Sequence, residues 1–266
     1  MDTAALQGLP VSGIGDYAFS EEGLGYGFVQ ASRQFTSAVI PGTVQRIGRG
    51  AFRRNRLTSV SIGANVIEIG EDAFADNRLE SVTIPGSVRY IGEEAFADNL
   101  LDSVVIGSGV TRIGEMAFAR NRMESVLIPD SVIYIGKLAF LGNDLDSVSI
   151  PDSVRYIGAG AFFMNRLTYI SIGQGLSEIT DGVFGSNLLE AVTIPDTVTV
   201  IGQGTFANNP LASVSIGGNV AIGGTLPHIA DLDDIFGTSF ADFYESQGRR
   251  AGTYTFSGGE WSVEFR

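Results

Sequence analysis

Chemistry would have to begin at His228, the only histidine in the chain. Serines and acids are plentiful, so a Ser–His–acid set can be assembled by count. No G-x-S-x-G elbow presents a nucleophile, however, and Pro227 directly precedes the imidazole. Asp231, Asp233 and Asp234 follow. As calcium ligands they lack a twelve-residue loop and a closing Glu, so they read as acids at the start of a helix. Gly23, Gly25 and Gly27 form a G-x-G-x-G run. With no Lys and no strand-then-helix setting, that run reads as an insertion rather than a phosphate loop. There is no Cys, hence no disulfide, no thiolate nucleophile and no sulfur-bound zinc. The expectation is a chain without catalytic residues, metal or cofactor.

Paired carboxylates could hydrolyse glycosides, but here the carboxylates fall in register. Glu80, Asp102, Glu124, Asp146 and Glu190 share one column, and Arg56, Arg78, Arg122 and Arg166 another beside it. Such columns read as a solvated, mutually ion-paired face, at ~0–1 kcal/mol per pair. The alternative is a site for a cation or a basic partner, since stacked acids repel.

The columns belong to a repeat, and the repeat positions everything else. Phe recurs every 22 residues from Phe52 through Phe74, Phe96, Phe118, Phe140, Phe162 and Phe184 to Phe206. Asn keeps the same step from Asn55 to Asn209, and Ile from Ile40 to Ile216. A fixed period of this length without insertions specifies a stacked solenoid. In the coil Leu57–Arg78, Val60 and Ile62 alternate with Ser59 and Ser61, the pattern of a half-buried strand. Gly63 follows, and in other coils Pro85, Pro129, Pro151 or Pro195 takes its place, which ends the ladder and keeps the strand short. Val66 and Ile69 predict a second, shorter extended stretch on the other side of the coil. Glu71–Asn77 reads as one helical or 3₁₀ turn, with acids at its start and Ala73 and Phe74 inward.

One coil offers too little apolar surface to offset the entropy of ordering it, so the coils must stack at ~4.8 Å per strand into a sheet about 40 Å long. A buried Asn in each coil must be hydrogen-bonded, here to backbone at the turn and in the adjacent coil. The Gly column from Gly48 to Gly202 calls for positive φ or close backbone approach. Thr180 breaks that column, so its coil should differ locally.

The motif L-x-x-V-x-I-P-x-x-V-x-x-I-G-x-x-A-F-x-x-N resembles the BspA-like, or Treponema-type, leucine-rich repeat over about two-thirds of the chain. That family often has Cys where this chain has Asn. The resemblance implies an α/β solenoid, a right-handed superhelix with a concave parallel β-sheet and short helical turns. It also implies protein–protein contact, often in exported or surface proteins of bacteria.

The expected organisation is an irregular N-terminal cap with an insertion (1–37), the repeat array (38–221) and a C-terminal cap (222–266). Ile14–Phe19 repeats the I-G-x-x-A-F unit. In the last segment Ile229–Gln247 predicts a helix, and Ala251–Phe265 a hairpin turning at Ser257-Gly258-Gly259. Phe236, Phe240, Phe243 and Trp261 are expected to cover the end of the array.

A net charge of −13 opposes nucleic acid and anionic membrane as partners. No run of 18 apolar residues is present, and residues 1–20 show no signal-peptide pattern. The expectation is a monomer that binds a protein, in the family's manner a host or cell-surface protein. The outward strand positions are mostly Ser and Thr, including Ser125, Ser147 and Ser149. Val105, Leu127 and Tyr169 interrupt them and form the expected contact patch on the concave face, with Val105 and Leu127 ~5 Å apart in consecutive coils. Tyr90, Tyr134 and Tyr156, on the other side, read as packing. The alternatives are a carbohydrate-binding or carbohydrate-active solenoid and a purely structural spacer.

Overall fold

The computed structural model describes residues 3–5, 11–20, 35–222 and 240–266. His228, the Asp231–Asp234 acids, Phe236, the first part of the expected helix and all of the expected insertion Ser20–Arg33 except Ser20 lie outside them.

Each coil contributes a first strand, except the one that holds residues 123–128, and a two-residue second strand. The first strands are β1 (Thr3–Ala5), β3 (Ser37–Val39), β5 (Ser59–Ser61), β7 (Ser81–Ile84), β9 (Ser103–Ile106), β12 (Ser147–Ile150), β14 (Tyr169–Ile172), β16 (Ala191–Thr193) and β18 (Ser213–Ile216). The second strands are β2 (Gly13–Ile14), β4 (Arg46–Ile47), β6 (Glu68–Ile69), β8 (Tyr90–Ile91), β10 (Arg112–Ile113), β11 (Tyr134–Ile135), β13 (Tyr156–Ile157), β15 (Glu178–Ile179), β17 (Val200–Ile201) and β19 (Ala221–Ile222). Where strands of neighbouring coils pair, they pair in parallel, with partners 22 residues apart through the array until β19, as in Ser81↔Ser103 and Ile69↔Ile91. A helix α1 (Phe240–Ser246) and a hairpin of β20 (Gly252–Ser257) and β21 (Glu260–Phe265) follow.

The Phe column is one stack. Rings from Phe19 and Phe52 to Phe206 lie face to face, with centroids 4.9–5.8 Å apart and planes within 13° of parallel. Val, Ile and Leu columns close around it, so coil after coil shares one apolar core. The Asn ladder is equally regular. Asn121 Nδ2 donates to the carbonyls of Phe96, Phe118 and Ala119, and its Oδ1 accepts from the N–H of Leu101. One side chain thus satisfies four buried backbone groups in two coils, as only a carboxamide can.

Two expectations change. The A-F segment is not helical: Ala73 N–H bonds to Gly70 O and Ala75 N–H to Asp72 O, two successive tight turns. Asp72 and Asp76 hold left-handed φ of 58° and 56°, which no right-handed helix admits. The same two columns are left-handed in every coil from Gly50 and Arg54 onward. They contain Gly50, Gly142, Gly160, Gly182 and Gly204, the signal that could have found them. The Gly48–Gly202 column instead serves close approach: a Cβ on Gly70 would lie 2.7 Å from the backbone of Gly48.

The first strands also fail to form one continuous sheet. From β3 onward ladders join β3–β5, β7–β9, β12–β14 and β16–β18, and no ladder joins these pairs to one another. Residues 123–128 form no strand at all. The junction residue explains the pattern. Over these coils a ladder forms where the later coil has Gly (Gly63, Gly107, Gly173, Gly217) and is lost where it has Pro (Pro85, Pro129, Pro151, Pro195), while β1–β3 pairs in spite of Pro41. Proline removes the N–H that would continue the ladder. Gly107 lies flat on the proline before it, where a Cβ would come within 2.5 Å of the Pro85 carbonyl. The second strands carry no proline, and seven of them, β2 to β13, form one sheet. That sheet ends at Thr180.

The C-terminal segment pairs with the last first strand of the array: β20 lies antiparallel to β18, and α1 packs on it. Phe240, Tyr244, Tyr254 and Trp261 are buried, and Phe243 is partly so. The hairpin turns at Gly258-Gly259.

Candidate binding face

The first strands place their even-numbered side chains, such as Val82 and Ile84, inward and the odd-numbered ones in two outward rows. Ser125, Ser147 and Ser149 are exposed, as are most Ser and Thr of both rows. Val105, Leu127 and Tyr169 are 56%, 79% and 61% exposed. They stand on a surface that otherwise offers hydroxyl groups.

The structure spaces them differently from a continuous ladder. Tyr169 is the register partner of Ser147, and Val105 of Thr83. Although their coils remain stacked through Phe118 and Phe140 at 5.5 Å, Leu127 belongs to the coil without a first strand, so Val105 and Leu127 are not ladder partners. Pro129 is the cause. Beyond Tyr169 the junction at Pro195 opens a groove of about 570 Å³ between β14 and β16. Tyr169, Ser171 and Gln174 line one side, Glu190 and Thr193 the other.

The Arg and acid columns do not pair with each other. Most ion pairs of the array instead join oppositely charged residues 22 apart, Arg46–Glu68 at 3.0 Å, Arg49–Glu71 at 2.7 Å, Asp98–Arg120 at 2.5 Å, Glu115–Lys137 at 3.3 Å and Asp144–Arg166 at 3.0 Å, while Arg53 reaches Asp72 at 3.0 Å and Asp76 at 3.4 Å. Stacking brings residue i beside i+22, so these pairs lie where a column changes sign, and Asp144, between Arg122 and Arg166, takes Arg166. Glu80, Asp102, Glu124 and Asp146 meet no base along their column, which runs from Thr58 to Thr168, and stay exposed.

Sequence reasoning missed the chemistry of the second sheet. Tyr134 and Tyr156 are stacked at 4.8 Å, and the Arg112 guanidinium lies 4.3 Å over the Tyr134 ring. With Tyr90 they occupy four consecutive strands, β8, β10, β11 and β13. The signal was present, because Arg112 shares the column of the three tyrosines.

Among the described residues no group of three or more His, Cys, Asp or Glu could hold a metal ion, and no helix is long and apolar enough to cross a membrane.

No curated protein matches this chain. Solved structures similar to it include the pneumococcal vaccine antigen PcpA, 20% identical over 73% of this chain and 67% of that one, TM-score 0.43. A leucine rich cell surface protein from Faecalibacterium prausnitzii is 25% identical over 79% and 78%, TM-score 0.37. A leucine-rich repeat protein from Bacteroides ovatus is 21% identical over 75% and 78%, TM-score 0.34. At these TM-scores the likeness carries no functional weight. The family model for the BspA type leucine rich repeat region matches residues 13–143 and 111–225, which is the whole stack of coils just described. The chain belongs to the BspA-type leucine-rich repeat family.

Proposed function

We propose that this solenoid is a non-enzymatic scaffold that docks a protein partner on the outer rows of its first strands, anchored at Val105, Leu127 and Tyr169. The exposure of these three side chains on a hydroxyl-rich face carries the reading. Ser and Thr contribute little contact energy, whereas interface energy concentrates in a few large side chains, with Tyr over-represented. The groove beside Tyr169 offers room for one side chain of the partner. Membership of a family of interaction scaffolds supports the same reading, and adhesion to a host or cell-surface protein is its specific form. The N-terminal residues 1–37 and the segment 222–266 act as end caps of the array.

The test is capture of partners from surface and extracellular proteins, followed by affinity for the double variant Leu127→Asp, Tyr169→Ala. Both side chains are exposed, so the fold is expected to persist and binding to fall by at least about tenfold. Undiminished binding would remove the site from this face.

A further inference from the structure

The second-strand sheet presents a different surface, and its composition is that of an interface. Tyr90, Arg112, Tyr134 and Tyr156 form one column over four adjacent strands. The residues just before them add Arg89, Ile133 and Arg155, and Ile67 extends that row by one coil. Ile67, Ile133 and Tyr156 are 47%, 50% and 43% exposed. Tyr and Arg are side chains in which binding hot spots are enriched. Unlike the first strands, these form an unbroken ladder, so the row is held at a regular spacing of ~4.8 Å per coil.

The row is rich in donors. Among the described residues the hydroxyls of Tyr90, Tyr134 and Tyr156 take no hydrogen-bond partner, and Arg89, Arg112 and Arg155 take no carboxylate. The arginines are nevertheless seated. Arg89 Nη1 donates to Gly86 O at 3.2 Å and Gly109 O at 3.0 Å, and a Cβ on Gly109 would collide with it at 1.9 Å. Arg155 Nη1 donates to the carbonyls of Asp152 and Val154, with Gly175 clearing the same space. Arg112 is held against Tyr134. Burial pushes the phenols of Tyr90 and Tyr156 up from their ordinary value, so both remain protonated donors.

From this arrangement we infer that the Tyr–Arg column of the second sheet is a second docking surface, and that it takes an extended acidic protein segment. Arg–carboxylate bonds and phenol donors match such a segment's carboxylates, and Ile67 and Ile133 match its apolar side chains. Glu93 and Glu115, three residues beyond the Tyr–Arg column, and Glu68 and Glu178, at its two ends, repel acids and confine the segment to the stretch between Arg89 and Arg155. In a chain of net charge −13 this is local complementarity. It shares with the scaffold reading only the idea of a protein partner. The two faces carry no common residue, so either can fail alone.

The experiment uses the intact chain and, as probe, a fluorescein-labelled random copolymer of glutamate and tyrosine, read by anisotropy. Saturable binding is expected, weaker in high salt, lost by about tenfold or more in Arg112→Glu and Arg155→Glu, and unchanged in Leu127→Asp. Arg155 is exposed, so its variant keeps the test valid if Arg112→Glu fails to fold. Absence of binding, or equal binding by the Arg variants, would overturn the inference. Binding of polygalacturonate in place of the copolymer would also overturn it, and would assign the face to an acidic glycan.

Discussion

The hydroxyl of Thr180 donates to the carbonyl of Ile157 at 2.7 Å. In the flanking coils a glycine N–H fills that role, Gly158 to Ile135 O at 2.8 Å and Gly202 to Ile179 O at 2.7 Å. A side chain thus replaces a backbone bond where β13 and β15 fail to pair, the local difference that Thr in the Gly column led one to expect. Thr180→Val keeps the shape and removes the donor. It should cost about 1–3 kcal/mol by leaving the carbonyl unsatisfied, measured by urea unfolding. A neutral result would mean that Ile157 O is solvated.

Asn121→Ala should cost more than a single hydrogen bond, because it strands Leu101 N–H and the carbonyls of Phe96, Phe118 and Ala119. A loss of about 3 kcal/mol is expected at the upper end of the range for one buried group. Phe118→Ala, in the middle of the ring stack, should cost about 3–5 kcal/mol. Unchanged melting of either variant would contradict the buried columns.

Gly107→Ala should be strongly destabilising, since its Cβ has only 2.5 Å to the Pro85 carbonyl and the β7–β9 ladder must open. The cost should be of the order of 1–3 kcal/mol or above, as for overpacking. Gly86→Ala is the control: its nearest neighbour is Ser108 Oγ at 3.7 Å, and it should be tolerated. Equal behaviour of the two variants in thermal melts would dispose of the junction argument.

Removal of residues 223–266 should uncover the β18 edge that β20 now occupies and lead to association of the chain. Tyr244→Phe is the milder version. Its hydroxyl donates to Gly217 O at 2.7 Å and accepts from Val220 N–H at 3.2 Å, so its loss should cost about 1–3 kcal/mol. Sedimentation of the truncated chain as a stable monomer would exclude a capping role.

Glu93 stands between Glu71 and Glu115 without a cation of its own column, since Arg49 and Lys137 pair with those neighbours. Partial desolvation first, then Glu71, Glu115, Glu94 and Asp72, hold its carboxyl above the ordinary value of 4.5. A raised carboxyl favours the folded state when protonated. Its contribution is therefore fully present below pH 4.5 and lost as the pH rises through the raised value. Glu93→Gln should raise Tm at pH 7 and leave it unchanged well below pH 4.5. A Tm shift independent of pH would point to packing.

The 22-residue period alone determined the architecture, because one repeat length maps residue i onto i+22 and turns sequence positions into columns. Phe52 over Phe74, Asn77 bonded across two coils, and the outward rows with Val105, Leu127 and Tyr169 were all legible before any coordinates. What each column does between coils was not. Whether Gly70 supplies positive φ or close approach depends on the backbone beneath it, and the left-handed conformation fell instead to Asp72 and Asp76. The break beside Leu127 needed Pro129 to be seen against Gly107. The Arg112–Tyr134 contact needed the second sheet to be continuous where the first is not. Pairing between coils is a property of two residues in contact, and only the stacked structure brings those two together.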